Sequence, residues 1–179
     1  MKVRLIVAVL LAGFMSSCDK IDKPIPKTSP ESFMPLHIGN YWRTNDKNYA
    51  EIQDTVRING DLYYTIFSVV GGDAISKEYY TINSNQELIQ SPPRNPNHKF
   101  IKAKFNAKVG DSFQALGDQS VNDYKITVTE KTDYKMTFSY DMIYHPNLKG
   151  HPHTITFIRG LGWDGVWKSI RINGKIYPR

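Results

Sequence analysis

The period-two alternation of side chains is the sequence feature that most restricts the fold of this 179-residue chain. It is clearest just before Asn59-Gly60, a pair of residues that is a strong hairpin signal. Residues 62–70 follow the pair and are rich in β-branched and aromatic side chains, which favour a return strand. Outside the N-terminal stretch, no window has the i, i+3, i+4, i+7 apolar spacing of an amphipathic helix. The residues that this pattern places on one face of the first strand are Ile52, Asp54, Val56 and Ile58.

Turn signals divide the rest of the chain into short segments, which is typical of antiparallel β proteins. A second pair, Asn173-Gly174, turns the chain near its end. Proline-containing segments at 91–98 and 145–153 are predicted to be exposed loops, because proline cannot donate to a strand ladder. The predicted fold class is therefore all-β, a mostly antiparallel curved sheet that forms an open barrel or a sandwich built from β-meanders. The further predicted strands are 78–82, 87–90, 100–105, 124–129, 135–144, 154–159, 166–172 and 175–177.

Two parts of the chain resemble each other at an offset of 71 residues. The segment 38–42, Ile-Gly-Asn-Tyr-Trp, corresponds to 109–113, Val-Gly-Asp-Ser-Phe. The same offset matches Tyr63, Phe67 and Ser68 with Tyr134, Phe138 and Ser139. Either two similar β-meanders make up the domain, or the match arises by chance in an aromatic-rich β chain. The sequence leaves both hypotheses open.

The first 17 residues have the charge, length and ending of a secretory leader. Lys2 and Arg4 supply the positive charge, and residues 5–14 form an apolar run. That run is well short of the roughly 20 residues that a membrane-spanning helix needs. Two serines then lead into Cys18, the one cysteine of the chain. We therefore predict that residues 1–17 are a signal peptide.

The small-small-cysteine ending resembles the lipobox of bacterial lipoproteins. The resemblance implies that the Cys18 thiol receives a diacylglyceryl group, that the leader is removed before Cys18, and that the new amine is acylated with a chain such as palmitate. Met15 departs from the pattern, which usually has leucine there. Two or more acyl chains give stable anchoring, so the implied partner is the lipid bilayer. The chain then divides into a leader (1–17), a lipidated, proline-containing tether (18–33) and a single β-rich domain (34–179).

Charge and composition exclude several classes of protein. Without Lys2 and Arg4, 21 basic residues face 17 acidic ones, a formal net charge of +4. This mild excess contains no long block of like charges, so we predict no nucleic-acid partner. With one cysteine no intramolecular disulfide is available, so stability must come from the apolar core. No sequence pattern calls for a cofactor, and none is predicted.

The residues that open and close the domain resemble those of small exported lipoproteins of the Bacteroidota type. These residues are the opening 35–42, the later Val109-Gly110-Asp111 and the closing 157–162. The resemblance implies a curved all-β sheet and an envelope location, and it carries over no catalytic residue. Asp19-Lys-Ile-Asp-Lys23 alternates in sign, unlike the acidic runs that resemble a surface-export signal. We therefore expect the outer membrane, with the domain facing the periplasm; display at the cell surface is the alternative.

Two motifs suggest chemistry that their context does not support. Gly160-Leu-Gly162-Trp-Asp-Gly165 matches the letters of a dinucleotide-binding fingerprint, but a strand pattern follows it where that fingerprint needs a helix. His145, His151 and His153 are candidate metal ligands, but no Cys or Glu completes a usual ligand set. We predict a glycine turn between strands at the first motif. At the second we predict no dedicated metal site, with surface capture of a metal ion as the alternative.

Aromatic residues are the remaining candidates for a binding site. The candidates for a groove that binds a glycan, a lipid or a peptide are Tyr41, Trp42, Trp163 and Trp167, whereas most aromatic side chains are expected in the core. Because neighbours on a strand point to opposite faces, one member of each adjacent aromatic pair is predicted to lie in the core. The chain has no Gly-x-Ser-x-Gly and no thiol that remains after lipidation, so nucleophilic catalysis is not indicated.

The predicted function is that of a non-catalytic, lipid-anchored envelope protein. Its β-domain binds or scaffolds a partner, either an envelope protein or a glycan. Two alternatives remain at this point. One is a ligand-binding protein that uses an aromatic-lined concave face, and the other is an envelope enzyme.

Lipidation of Cys18 is directly testable. Mass spectrometry of the membrane-extracted protein should show a triacylated fragment that begins at Cys18, because the thiol and the new amine are both acylated. Cys18→Ala should move the protein to the soluble fraction, since no acyl chain then holds it. Met15→Leu restores the usual lipobox residue and should leave the protein in the membrane. An unmodified Cys18 thiol in the mature protein would contradict the prediction.

Overall fold

The computed structural model of the chain describes residues 32–178. The leader, Cys18 and most of the predicted tether lie outside the described residues. Within them the regular secondary structure consists of β-strands, and no helix is long and apolar enough to cross a bilayer. The strands are β1 (Tyr41–Asn45), β2 (Asn48–Ile58), β3 (Asp61–Val70), β4 (Ala74–Ile82), β5 (Glu87–Gln90), β6 (Phe100–Lys104), β7 (Ser112–Gln114), β8 (Lys125–Lys131), β9 (Lys135–Asp141), β10 (His153–Ile158), β11 (Gly162–Trp163), β12 (Ser169–Ile172) and β13 (Lys175–Pro178).

These strands form two antiparallel sheets with a shared core between them. The large sheet has eight strands in the order β13-β12-β1-β2-β3-β4-β5-β6, and the small sheet has five in the order β11-β10-β9-β8-β7. Neighbours in space are neighbours in sequence, except where the C-terminal hairpin β12–β13 pairs with β1. The two sheets do not close into a barrel. The predicted all-β fold is therefore confirmed, in the form of a sandwich.

Apolar side chains from both sheets fill the space between them. Ile52 and Ile66 of the large sheet and Met136, Phe138 and Phe157 of the small sheet are buried in one cluster. The rings of Phe138 and Phe157 meet edge to face with centroids 5.9 Å apart. Such contacts add about 0.5–1.5 kcal/mol to the stabilisation that burial supplies. Because each sheet contributes one face of this cluster, neither sheet has a core of its own there.

One predicted strand face is wrong, because β2 contains a β-bulge. The register shifts after Ile52, where Gln53 is an extra residue opposite β3. Side chains beyond a bulge exchange faces relative to those before it. Ile52 therefore points toward the small sheet and belongs to the shared core, whereas Asp54, Val56 and Ile58 lie on the outer face. Ile52 and Ile58 are both buried, but on opposite sides of the large sheet.

Three strands were not predicted from the sequence, namely β1, β7 and β11. The last two have only three and two residues, which are too few to show an alternation. The predicted strand at 166–172 begins only at Ser169, because the residues before it connect the two sheets. The predicted loop at 91–98 contains no strand, and the second predicted loop ends where His153 begins β10.

The internal resemblance corresponds to a repeated structural unit. Gly39 and Gly110 both have left-handed backbone conformations, with φ of +87° and +92°. The Gly39 amide donates to the Ile52 carbonyl at 2.8 Å, and the Gly110 amide donates to the Val128 carbonyl at 2.9 Å. The amides of Ile52 and Val128 donate in return to the residue after each glycine, and a bulge follows each of them. Each sheet therefore contains the same glycine turn followed by a bulged meander.

The predicted offset of 71 residues does not hold through the whole unit. Ile52 pairs with Ile66, and Val128 pairs with Phe138, so Phe138 corresponds to Ile66 rather than to Phe67. Phe67 lies on the outer face of the large sheet, whereas Phe138 is fully buried in the core. The predicted matches beyond the glycine turn are therefore one residue out of register.

Trp42 joins the two sheets at one point of close contact. Its side chain is fully buried, and the indole Nε1 donates to the Leu161 carbonyl at 2.6 Å. A Cβ at Gly162 would lie 2.7 Å from Trp42 Cζ2, so a glycine is needed for the backbone to lie against the ring. Trp42 belongs to β1 of the large sheet, and Gly162 begins β11 of the small sheet. The contact therefore sets the position of β11 over β1.

Gly162→Ala tests this contact, with Gly174→Ala as the matched control. Both glycines have left-handed φ, +86° and +79°, but a Cβ at Gly174 would meet nothing within 4 Å. We expect Gly174→Ala to lower the free energy of unfolding by about 1 kcal/mol through backbone strain. Gly162→Ala should lower it by about 1–3 kcal/mol more, because the new methyl group overlaps the indole. Urea denaturation measures both values, and equal losses would show that the indole moves aside freely.

Candidate functional site

The inter-sheet cleft lies where the small sheet does not cover the large one. β10 pairs with β9 along its whole length but with β11 only at Phe157 and Ile158. The first half of β10 therefore has a free edge, and the cleft follows this edge. The cleft has a volume of about 470 Å³ and opens to solvent. The residues that line it are Ala50, Ser68, Thr154, Ile155, Thr156, Trp163, Asp164, Gly165 and Trp167.

Small side chains of the large sheet form the floor of the cleft. Trp42, Ala50, Ser68 and Ser76 are cross-strand partners in one row from β1 to β4. Residues in such a row share a face of the sheet, and this row faces the small sheet because Trp42 lies in the core. The side chains become small after Trp42, so the row leaves space between the sheets.

Two indoles form the wall of the cleft, and contacts hold both of them in place. Trp163 meets Trp42 edge to face with ring centroids 5.1 Å apart, and it meets Tyr80 at 6.0 Å. Trp167 Nε1 donates to the Trp163 carbonyl at 2.9 Å. A Cβ at Gly165 would lie 3.0 Å from Trp167 Nε1, so the glycine allows the ring to pack against the backbone. Both indoles are half-buried, and part of each stays accessible.

The cleft combines this aromatic wall with backbone groups and one carboxylate. The Thr156 carbonyl accepts a hydrogen bond from the Asp164 amide at 2.8 Å, on the side of β10 that β11 occupies. Backbone groups of alternate strand residues point to the same side, so Thr154 presents its amide and carbonyl to the cleft. Ile155 points between the sheets, because it pairs with the buried Phe138. Asp164 is the one ionisable residue among the described residues that line the cleft.

Two of the four aromatic candidates line the cleft. Trp163 and Trp167 are in its wall, whereas Trp42 is fully buried in the core. Tyr41 lies on the opposite face of the large sheet, where the Arg171 guanidinium is 4.5 Å from the centroid of its ring. Adjacent residues of a strand point to opposite faces, which is why Tyr41 and Trp42 do not share one groove.

The three candidate metal ligands are not brought together. The His153 ring stacks on Tyr140 with centroids 5.2 Å apart, and His145 Nδ1 accepts a hydrogen bond from the Asn147 amide. His151 is exposed to solvent. In the part of the chain that the structure describes, no group of three or more His, Cys, Asp or Glu residues is placed to hold a metal ion.

The glycine motif has a structural role. Gly160 lies in the turn between β10 and β11 and has φ of +74°. Gly162 and Gly165 lie against the indoles of Trp42 and Trp167. The motif therefore supplies a turn and two ring contacts, and the strand β12 follows it. A dinucleotide site needs its glycines at the start of a helix, which this segment does not form.

Ionisable groups cluster on the same inner face of the large sheet. Glu78 accepts hydrogen bonds from Gln90 Nε2 at 2.8 Å and from the Tyr80 hydroxyl at 3.2 Å. Burial raises the pKa of Tyr80 well above its usual value, and the Glu78 carboxylate adds to the rise. Burial lowers the pKa of Lys102, an effect that the Glu78 charge opposes. Burial also raises the pKa of Tyr140, whose hydroxyl donates to the Lys102 carbonyl.

The floor and the free edge of the cleft were not identified from the sequence. Ala50, Ser68 and Thr154 belong to no motif, and their role depends on strand register and on the two-residue length of β11. The one local signal for this site was the presence of glycines near Trp163, because a glycine in a strand suggests that another group lies close to the backbone there. No family model matches this chain, and no match was found among the curated proteins or the solved structures.

The buried tyrosines predict a loss of stability in alkali. Folding raises the pKa of Tyr80 and Tyr140 above the unfolded value of about 10, so above that pH the folded state keeps protons that the unfolded state loses. The stabilisation is complete below about pH 10 and falls as the pH rises toward the folded pKa. The decline is at most about 1.4 kcal/mol per pH unit for each group.

Urea denaturation at several pH values measures this decline. Tyr140→Phe removes one of the two titrating hydroxyls, so the free energy of unfolding of this variant should fall less steeply above about pH 10. Tyr134→Phe is the control, because the Tyr134 side chain is exposed. If the free energy of unfolding falls equally steeply with pH in the wild type and in Tyr140→Phe, Tyr140 does not contribute to the loss of stability in alkali.

Proposed function

We propose that this chain is a lipid-anchored envelope protein whose β-sandwich binds a ligand in the inter-sheet cleft without converting it chemically. The leader and the position of Cys18 support the anchor. In this proposal the acylated Cys18 attaches the domain to the outer membrane, facing the periplasm, with display at the cell surface as the alternative orientation. The proline-containing segment 18–33 serves as the spacer between bilayer and domain.

The cleft is the observation that carries the binding role. Its volume of about 470 Å³ falls within the roughly 300–1,000 Å³ of typical small-ligand sites. Trp163 and Trp167 leave ring surface accessible beside a floor of small side chains. Covering apolar surface is worth about 25 cal/mol per Å², so a ligand that covers these rings gains binding energy from them. The contacts that hold both indoles reduce the ordering that binding requires.

The chemistry of the lining supports binding rather than catalysis. An activated nucleophile needs a base within hydrogen-bond reach, and general acid–base catalysis commonly uses two titratable groups at one site. Among the described lining residues, Asp164 alone is ionisable. The carboxylate of Glu78, on the same inner face, already accepts hydrogen bonds from Gln90 and Tyr80.

The position of the cleft suits a tethered binding protein. The described chain begins at Ser32, whose carbonyl accepts a hydrogen bond from the Gly160 amide. Gly160 follows the end of β10, whereas the cleft follows the first half of that strand. The cleft and Ser32, the first described residue, therefore lie toward opposite ends of β10. This arrangement keeps the cleft accessible when the other end of the domain is held near a bilayer.

Binding at the cleft is testable by NMR with a library of small soluble fragments and the Cys18→Ala chain. The chain has three tryptophans, whose indole N–H signals report on different places. We expect bound fragments to shift the signals of Trp163 and Trp167 more than that of the buried Trp42, because only the first two line the cleft.

Two variants control for non-specific contact with aromatic side chains. Trp167→Ala should abolish the shift at Trp163, because it removes half of the aromatic wall. Tyr134→Ala truncates an exposed ring outside the cleft and should retain the shifts. Fragment binding that is confined to other surfaces would contradict the proposed function.

A further inference from the structure

Four strands of the described residues extend well beyond the end of a neighbour. β2 extends beyond β1, β4 beyond β5, β8 beyond β7 and β10 beyond β11. In each case one further amide reaches the strand, as from Ser91 to Tyr79 and from Asp164 to Thr156. The free parts of β2, β4 and β8 carry charged side chains, which are typical guards of an exposed edge. The free half of β10, residues 153–156, carries no Lys, Arg, Asp, Glu or Pro.

The outermost strands are also protected against pairing. β6 and β7 adjoin each other at one side of the sandwich, because the Ile101 amide donates to the Ala115 carbonyl at 2.9 Å. β13 carries Lys175 and Pro178. The first half of β10 is therefore the edge of the described sheets at which neither charge nor proline opposes the addition of a strand.

The chain itself does not continue the ladder along this edge. Its last bond is the one from the Asp164 amide to the Thr156 carbonyl, at 2.8 Å. The chain then crosses to the large sheet, where the Lys168 amide donates to the Arg43 carbonyl at 2.7 Å. The amide and carbonyl of Thr154 are thus left facing the cleft, in the geometry that an additional antiparallel or parallel strand would use.

The cleft also has room for side chains of an added strand. Side chains of a strand alternate between its two faces, so every second residue of an added segment would point to the floor at Ala50 and Ser68. These small side chains and the accessible part of Trp163 fit an apolar residue of moderate size.

The lining disfavours other classes of ligand. A phosphate or a fatty-acid carboxylate would need a Lys or Arg partner, which the described lining lacks. The open shape would leave a lipid chain partly in water. The Thr156 side chain lies on the outer face of the small sheet and shares a hydrogen bond with the Thr137 hydroxyl at 3.0 Å, so it is poorly placed to recognise a glycan in the cleft.

From this geometry we propose that the inter-sheet cleft binds an extended polypeptide segment, which adds as a strand to the free edge of β10. The proposal names the ligand class of the same cleft, and so it rests on the proposed function. The segment pairs through its backbone with Thr154 and places an apolar side chain over the floor. In strand addition, main-chain hydrogen bonds supply affinity, and pockets for alternate side chains supply specificity.

A random library of peptides of about seven residues, displayed on phage, provides the probe. The target is the Cys18→Ala chain, and selection against the Trp167→Ala variant removes peptides that bind elsewhere. We expect the selected sequences to alternate apolar and polar residues, because every second side chain of an added strand points to the floor. A selected peptide is then synthesised and its dissociation constant is measured by calorimetry.

Changes to the peptide and to the strand edge separate strand addition from contact with the rings alone. Two N-methylated forms of the peptide are compared, one methylated at the odd-numbered amides and one at the even-numbered amides. Only one of these two registers removes the backbone donors that face β10, and in that form binding should weaken at least tenfold. Thr154→Pro removes the amide of the edge, where proline is tolerated, and should cause a similar loss. Tyr134→Ala should leave the dissociation constant unchanged. Hydrogen exchange provides a readout that does not depend on a variant, since bound peptide should protect the Thr154 amide.

Each outcome decides the proposal. Loss of binding on N-methylation together with protection of the Thr154 amide supports it. Equal binding by N-methylated peptides in both registers overturns it, as does a library that yields no sequence selective for the wild type over Trp167→Ala. Binding of neutral disaccharides in place of peptides would also overturn it. Where one of these results overturns strand addition but fragments still shift the Trp163 and Trp167 signals, the proposed function survives. If the fragments do not shift these signals, strand addition and the proposed function are both overturned.

Discussion

The contact between Trp42 and the backbone of Leu161 and Gly162 is the interaction on which the arrangement of the two sheets depends. An indole of the large sheet donates to a carbonyl of the small sheet at 2.6 Å and lies against a glycine that has no side chain to interfere. This contact sets β11 over β1, and β11 carries Trp163. Trp163 in turn accepts the hydrogen bond that orients Trp167. The wall of the cleft is thus built outward from one buried ring.

The cleft arises because two similar units are completed differently. Each sheet contains the same glycine turn and bulged meander, from Gly39 in the large sheet and from Gly110 in the small one. The large sheet continues through β5 and β6 and gains the C-terminal hairpin, whereas the small sheet ends in the two-residue β11. The small sheet is therefore narrower than the face that it covers. The uncovered part has the small residues Ala50 and Ser68, which leave the space open.

Local patterns predicted most strands and the all-β class, because alternation and turn chemistry depend on residues close in sequence. They failed where the partner strand decides the outcome. The bulge after Ile52 exists only in the pairing of β2 with β3, so the sequence placed Ile58 on the wrong face. The predicted match of Phe67 with Phe138 failed for a related reason, since strand register rather than sequence offset relates the two units. Of the four aromatic candidates, Trp163 and Trp167 line the cleft, whereas Trp42 lies in the core and Tyr41 on the opposite face of the large sheet.

The sequence by itself determined the strand-forming segments and the glycine turns, and it supplied the leader-like pattern from which lipidation of Cys18 is predicted, because each depends on a few adjacent residues. Only the tertiary structure decided which aromatic residues meet, which edge stays unpaired and where the space between the sheets lies. The cleft is lined by both Ser68 of β3 and Thr154 of β10, two residues that border one space only after both sheets have formed and packed. Such a gap has no local pattern, because it results from the register of strands distant in sequence and from the size of the side chains that fail to fill it.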